Sequence, residues 1–240
     1  MIKKIYIVLL LFTIGSVYPQ AAPTQKEDVK KILEKVKSGF EKTPSYDYKL
    51  SFNFRPVNKT GIAPIVSIGR VAKSGTVTYY KVQDTENLYK PGASIRVSHE
   101  QQLIEYNASK GAGSSLPFNI SDFVKYFNDA HLVDKGSYYI CTMDVGKFTT
   151  LEYSRIELYI NKDYSLQKQI LYYLKQIPFK NKKGIEVMDY PVLEIAFVKN
   201  NADKKENLFS ESNYIKIKEG KITPASDFKN YKIVDISKKQ

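Results

Sequence analysis

The apolar residues of this chain change period at Pro44, and that change limits its fold more than any other feature. Before it, Val29, Ile32, Leu33, Val36 and Phe40 recur at helical spacing and form one apolar stripe. Thr24-Gln25-Lys26-Glu27 has the capping-box pattern, so a helix is expected over 24–42, lying on something apolar. After Pro44, Tyr46, Tyr48, Leu50, Phe52 and Phe54 alternate with Asp47, Lys49, Ser51, Asn53 and Arg55, until Pro56 stops the pattern. A side chain on one face at every second position is the strand period. Helix and strand each carry one apolar face, and neither face is stable in water alone.

Strand-like segments continue over 65–72 and 75–82 as a hairpin, then over 87–90, 94–98 and 102–107. A Gly/Ser-rich loop follows at 109–115. Ser121 has the position of a cap for a second short helix, with Phe123, Val124 and Phe127 as its apolar stripe. More strands are expected at 138–143, 154–160, 166–174, 192–197, 214–218 and 232–236, with turns at Asn161-Lys162-Asp163 and Asn181-Lys182-Lys183-Gly184. No repeat and no linker interrupts the run. The expectation is one α+β domain over 23–240. Its sheet is antiparallel, because parallel strands need long crossovers and few helices are available. A sheet of this length twists and curls, and helices can rest in the resulting concave face.

Residues 1–22 are expected to be a signal peptide: Lys3 and Lys4, an apolar run from Ile5 to Phe12, then Gly15, Ser16, Ala21 and Ala22. The run is shorter than the roughly 20 residues that span a bilayer. No cysteine stands near the cleavage region for a lipid anchor, and the expected location is the periplasm.

Net charge is +12, yet Arg supplies only four of the 37 basic residues. Nucleic-acid readers favour Arg for its bidentate fork, so no nucleic-acid partner is expected. Cys141 is the single cysteine and reads as a small buried hydrophobe. With His99 and His131 as the only histidines, there is little material for a metal site, and no metal or cofactor is expected. No nucleophile elbow, phosphate loop or His-Glu-x-x-His run is present, and the reading is not an enzyme. His99-Glu100 are neighbours that would point to opposite faces of a strand. His131 has no evident partner, and Asp122, Asp129 and Asp134 are expected in the second helix and the turn after it. Asn58, Asn107 and Asn119 begin glycosylation sequons, short motifs that are common by chance.

Four stretches together resemble the LolA/LolB-like superfamily of periplasmic lipoprotein carriers. They are Val29-Lys-Lys-Ile-Leu-Glu-Lys-Val36 with the strand after it; Ile68-Gly69-Arg70-Val71 with His99-Glu-Gln-Gln-Leu-Ile-Glu-Tyr106; Ile156-Glu-Leu-Tyr-Ile-Asn-Lys-Asp163 with 166–174; and Val192-Leu-Glu-Ile-Ala-Phe-Val-Lys-Asn200 with Leu208-Phe209. The resemblance implies an open half-barrel of roughly eleven strands whose concave face is covered by helices. It also implies a non-enzymatic function, binding acyl chains of lipoproteins or lipids between the two layers. The expected cavity residues are Tyr46, Tyr48, Leu50, Phe52, Phe54, Ile32, Leu33, Val36, Phe123 and Phe127. A chain of about 16 carbons gains roughly 0.8 kcal/mol per buried CH₂, about 12 kcal/mol gross. The alternative is an envelope docking or structural protein with the same fold as a protein-interaction surface. Its lysine-rich exterior would face an acidic partner or, peripherally, anionic headgroups of a membrane.

Overall fold

A computed structural model of the chain describes residues 25–58, 61–108, 126–146, 151–200 and 207–237. Among these there is one α-helix, α1 (Lys26–Lys42), followed by β1 (Ser45–Pro56). The period change at Pro44 thus marks a real boundary. Val29, Ile32, Leu33 and Val36 are the buried stripe of α1. Thr24, the first residue of the capping-box pattern, lies outside the described residues. Gln25 occupies the N-cap position without a side-chain cap bond. Its backbone N–H donates to the Ala130 carbonyl and its side-chain oxygen accepts from the Leu132 N–H, both at 2.7 Å. These two bonds dock the first turn on a distant strand.

The next strands are β2 (Ile65–Ser74), β3 (Val77–Val82), β4 (Thr85–Lys90), β5 (Ala93–Ser98) and β6 (Leu103–Asn107), then β7 (Phe127–Asp134), β8 (Tyr138–Val145), β9 (Tyr153–Asn161) and β10 (Leu166–Tyr173). A small hairpin, β11 (Ile177–Lys180) and β12 (Glu186–Asp189), precedes β13 (Pro191–Lys199). The C-terminal part holds the hairpin of β14 (Ile215–Lys218) and β15 (Lys221–Pro224), then β16 (Lys232–Asp235). Twelve strands form one open sheet in the order β16-β6-β5-β4-β3-β2-β1-β13-β10-β9-β8-β7. Every pair is antiparallel except β16 with β6, which is parallel, so the all-antiparallel expectation fails at that edge.

Two further expectations need correction. Helices in the plural do not cover the sheet among the described residues. Phe127 belongs to strand β7, not to a helical stripe, and Asp129 and Asp134 lie in the same strand. The run Phe123-Val124-Phe127 is too short for its period to decide between helix and strand. Residues 1–22, the loop at 109–115, Asn119, Ser121, Asp122, Phe123 and Val124 lie outside the described residues.

The sheet changes its buried face halfway across. From β7 to β2 the buried residues face α1 and include Leu50, Val71, Phe127, Cys141, Met143, Leu158, Ile160 and Ile195. From β3 to β6 they lie on the other face and include Tyr79, Leu88, Ile95, Val97, Ile104 and Tyr106. That face is packed by the C-terminal segment through Leu208, Phe209, Tyr214, Ile215, Ile222, Phe228 and Tyr231. The switch falls at the end of β2, where Val71 and Ala72, adjacent and opposite in direction, are both buried. Nearby Gly69 admits no side chain: a Cβ there would stand 2.6 Å from the Lys81 carbonyl oxygen and 2.8 Å from the Phe52 ring.

Candidate functional site

Tyr46, Tyr48, Leu50, Phe52 and Phe54 share one face of β1, as their alternation requires. The register places them opposite Phe197, Ile195 and Leu193 of β13 and Gly69 and Val71 of β2. Tyr48 and Leu50 are buried with Ile32, Leu33, Val36 and Phe127 in the helix-side core, and Tyr46 and Phe52 pack against it half-buried. Phe54 is different. It sits near the far end of β1 and contacts the rings of Tyr173 and Phe179, at centroid distances of 6.2 and 5.8 Å. Nine of the ten expected residues are therefore described, and eight of them pack together under α1.

Most of these side chains fill space rather than line it. A cleft of about 210 Å³ opens where the C-terminal end of α1 meets β1. Its walls are Gly39, Phe40 and Thr43 of α1 and its end, Ser45, Tyr46 and Tyr48 of β1, Asp163, Tyr164 and Ser165 of the β9–β10 turn, and Lys199. Pockets for drug-sized ligands measure roughly 300–1,000 Å³. The cleft is smaller than that. A second, outer depression of about 750 Å³ lies along the solvent side of α1, between Lys31, Lys35, Ser38, Lys42 and Tyr164.

The cleft is aromatic and contains an unmatched polar atom. Phe40 meets Tyr46 edge-on at 5.4 Å, and Tyr46 and Tyr48 lie 5.8 Å apart. The Tyr46 hydroxyl is buried and has no hydrogen-bond partner. Burial, and after it the neighbouring Tyr48, pushes its pKa up to about 12, so it remains a neutral donor. Gln169, opposite Leu158 and Ile195 on the same face, has a buried side-chain oxygen that is equally unpartnered. Buried polar groups are paired in the great majority of cases. A third buried, unpartnered oxygen belongs to Asn53, on the opposite face of β1, so unpartnered groups are not confined to the helix side.

Few polar bonds hold α1 down. The two Gln25 bonds fix its start. At its end, Lys73 Nζ donates to the carbonyls of Phe40 (3.1 Å) and Glu41 (2.8 Å).

The polar cluster that sequence reasoning missed lies on the other half of the sheet. Glu86 of β4 accepts hydrogen bonds from Lys81 Nζ at 2.8 Å, Tyr214 at 3.0 Å and Tyr79 at 3.2 Å, and pairs with His99 Nε2 at 2.9 Å. His99 Nδ1 meets the Tyr231 hydroxyl at 2.9 Å. Burial alone would raise the Glu86 pKa, but the bonds from Lys81, His99 and Tyr214 outweigh it and hold the carboxyl below its usual range. His99 thus pairs across a strand turn with Glu86, not with its neighbour Glu100. The one legible signal was the Pro91-Gly92 turn, which sets the β4–β5 register and brings the ends of that hairpin together. The arrangement packs the C-terminal segment: Phe228 lies between Tyr214 and Tyr231, at 5.4 and 5.0 Å, with the His99 ring 6.1 Å away.

The remaining candidates are structural. Cys141 is fully buried in β8, and burial pushes its thiol up to about 12, far from a reactive thiolate. His131 pairs with Asp129 two residues earlier in its own strand, at 3.0 Å. Among the described residues, no group of three or more His, Cys, Asp or Glu is placed to hold a metal, and no helix is long and apolar enough to cross a membrane.

No protein-family model matches the sequence. No curated protein matches it either. Several solved structures are similar to it. A conserved protein from Thermus thermophilus is 11% identical, with 87% of this chain and 99% of that one covered and a TM-score of 0.41. The lipoprotein LppX of Mycobacterium tuberculosis is 8% identical over 75% of this chain and 99% of its own, with a TM-score of 0.36. A LolA superfamily protein from Nitrosomonas europaea is 14% identical over 79% and 99%, with a TM-score of 0.31. These values describe similarity, not membership of a family.

Proposed function

We propose that this protein is a non-enzymatic carrier of acyl chains, acting in the periplasm on lipids or lipoproteins. The observation that carries the reading is the buried, unpartnered hydroxyl of Tyr46 in an aromatic cleft continuous with the apolar face of β1. An acyl ester supplies both things that this place lacks: methylenes for the apolar walls and a carbonyl oxygen to accept from Tyr46. The strand patterns that resemble the LolA/LolB-like superfamily point the same way. A cleft of about 210 Å³ does not hold a long chain. Cargo must therefore displace α1, and the cost of lifting the helix lowers the net affinity. A carrier needs that, because cargo held at the full burial energy would never be released.

The test is organic extraction of protein purified without detergent, followed by mass spectrometry. A stoichiometric lipid, or a co-purifying acylated protein, is expected. An empty extract from a well-folded sample overturns the reading. The filled core favours a second reading, that of an envelope protein which docks on another protein and carries nothing. An empty extract together with a stable protein partner would establish it.

A further inference from the structure

Among the described residues, seven of the twelve large apolar residues that stand exposed lie at one end of the sheet. They are Val57, Ile65, Val66, Leu174, Ile185, Met188 and Tyr190. The register explains why they meet. Phe54 pairs with Ile65 and with Leu193, Pro56 pairs with Pro191, and the Val57 N–H donates to the Tyr190 carbonyl. The end of β1, the start of β2, the end of β10 and the start of β13 thus form one rim.

The β11–β12 hairpin projects from that rim. One of its faces, with Ile177, Phe179, Val187 and Asp189, turns inward, and Phe179 packs on Phe54. The outer face carries Met188, 53% exposed, and the tip carries Ile185, 58% exposed. The tip is built rather than loose. Asn181 Oδ1 accepts from the Lys183 and Ile185 N–H groups at 2.9 and 3.0 Å, and Gly184 takes the positive φ of +76° that the turn requires. At the hairpin's base, the buried Asp189 carboxylate accepts from the Asn58 N–H at 2.9 Å and from Asn58 Nδ2 at 3.0 Å, which ties it to the end of β1.

Lysines flank the apolar residues: Lys175, Lys180, Lys182 and Lys183 are exposed here, against the exposed acids Glu152 and Glu186. Glu186 already faces Lys180 at 3.9 Å. Apolar side chains at a rigid tip, ringed by an excess of lysines, match the boundary of an anionic bilayer. The methylenes enter the interface while the ammonium groups meet phosphates. The lysine excess favours an extended anionic surface, which needs no matched pocket, over a protein partner.

We infer that this rim, with the β11–β12 hairpin at its centre, is a docking surface for anionic lipid bilayers. The inference goes beyond acyl carriage and does not depend on it. If both hold, Phe54 and Phe179 stand where a chain leaving the bilayer would first meet the apolar face of the sheet.

The experiment is sedimentation of the purified chain with vesicles of phosphatidylglycerol and phosphatidylcholine, compared with phosphatidylcholine alone, for wild type, Ile185→Glu and the double variant Lys182→Glu/Lys183→Glu. Anionic vesicles are expected to be bound at least tenfold better than neutral ones, and each variant is expected to lose about tenfold. Both changes lie on exposed positions of a turn, so melting temperature should stay the same, and a variant that fails to fold is replaced by Met188→Glu. Equal binding by wild type and variants overturns the inference. So does wild-type self-association that Ile185→Glu abolishes without vesicle binding, which would make the rim a contact between copies. Binding of a soluble fluorescent fatty acid, read in the same variants, keeps carriage separate: its loss in wild type sinks carriage alone.

Discussion

The two halves of the sheet bury their cores in opposite ways. From β7 to β2 the cover is a helix whose middle packs through an apolar stripe and whose polar bonds to the sheet stand chiefly at its two ends, and the buried hydroxyl of Tyr46 in that half lacks a partner. From β3 to β6 the cover is the C-terminal segment, pinned by Glu86, on which Lys81, His99, Tyr79 and Tyr214 converge. Apolar contact has no direction and breaks and reforms without leaving a charge stranded. A buried carboxylate with several donors cannot lose them piecemeal without a large penalty. The difference is testable: the helix side should open more readily than the C-terminal side.

The sharpest way to break this comparison is to loosen each half in turn. Leu33→Ala removes a side chain that is 1% exposed at the centre of the α1 contact, and should cost about 3–5 kcal/mol in urea unfolding. Hydrogen exchange should quicken in α1 and β8–β10 while β4–β6 keep their protection. Glu86→Ala should cost somewhat less, about 2–3 kcal/mol, because Lys81 remains half in solvent once its partner is gone. Here protection should fall in β4–β6 and the β14–β15 hairpin. If either variant loosens both halves equally, the distinction between an opening and a fixed half is wrong.

Acid gives a smaller effect. The Glu86 carboxyl is held below its ordinary value of 4.5, so it contributes stability above that value. The contribution is lost as pH falls from there through its depressed folded value. The C-terminal half should therefore loosen in acid over that range, and Glu86→Gln should remove that part of the pH dependence. Equal acid sensitivity in the Gln variant would show that other carboxylates govern it. The smallest effect belongs to Tyr46→Phe. Deleting a buried hydroxyl that has no partner should leave stability unchanged or raise it by up to about 1 kcal/mol. A loss would mean that the hydroxyl is satisfied within the fold.

Long periods in the sequence correspond to the elements that form. The stripe of α1 and the alternation of β1 each continue over several repeats, and both elements stand where the pattern puts them. Short runs failed. The spacing of Phe127 from the two apolar residues before it fits a helix, yet Phe127 begins a strand. The hairpin of β11 and β12 reads as one turn because its strands are four residues each and one contains Pro178. Phe54 continues the alternation faithfully, but distance along the strand carries it out of the core to the rim, which a period cannot express.

What the sequence determined alone is which side of each strand is apolar, because alternation is a property of neighbours in the chain. Only the tertiary structure decided which of those sides point the same way. That depends on the register between strands and on which distant segment is at hand to cover them. The apolar sides of β1 and β5 both follow the strand period in sequence. One lies under α1, before it in the chain, and the other under residues 207–231, more than a hundred positions after it. The same non-local choice joined Glu86 to His99 and Tyr214, and gathered exposed isoleucines from β2 and the β11–β12 turn on one rim.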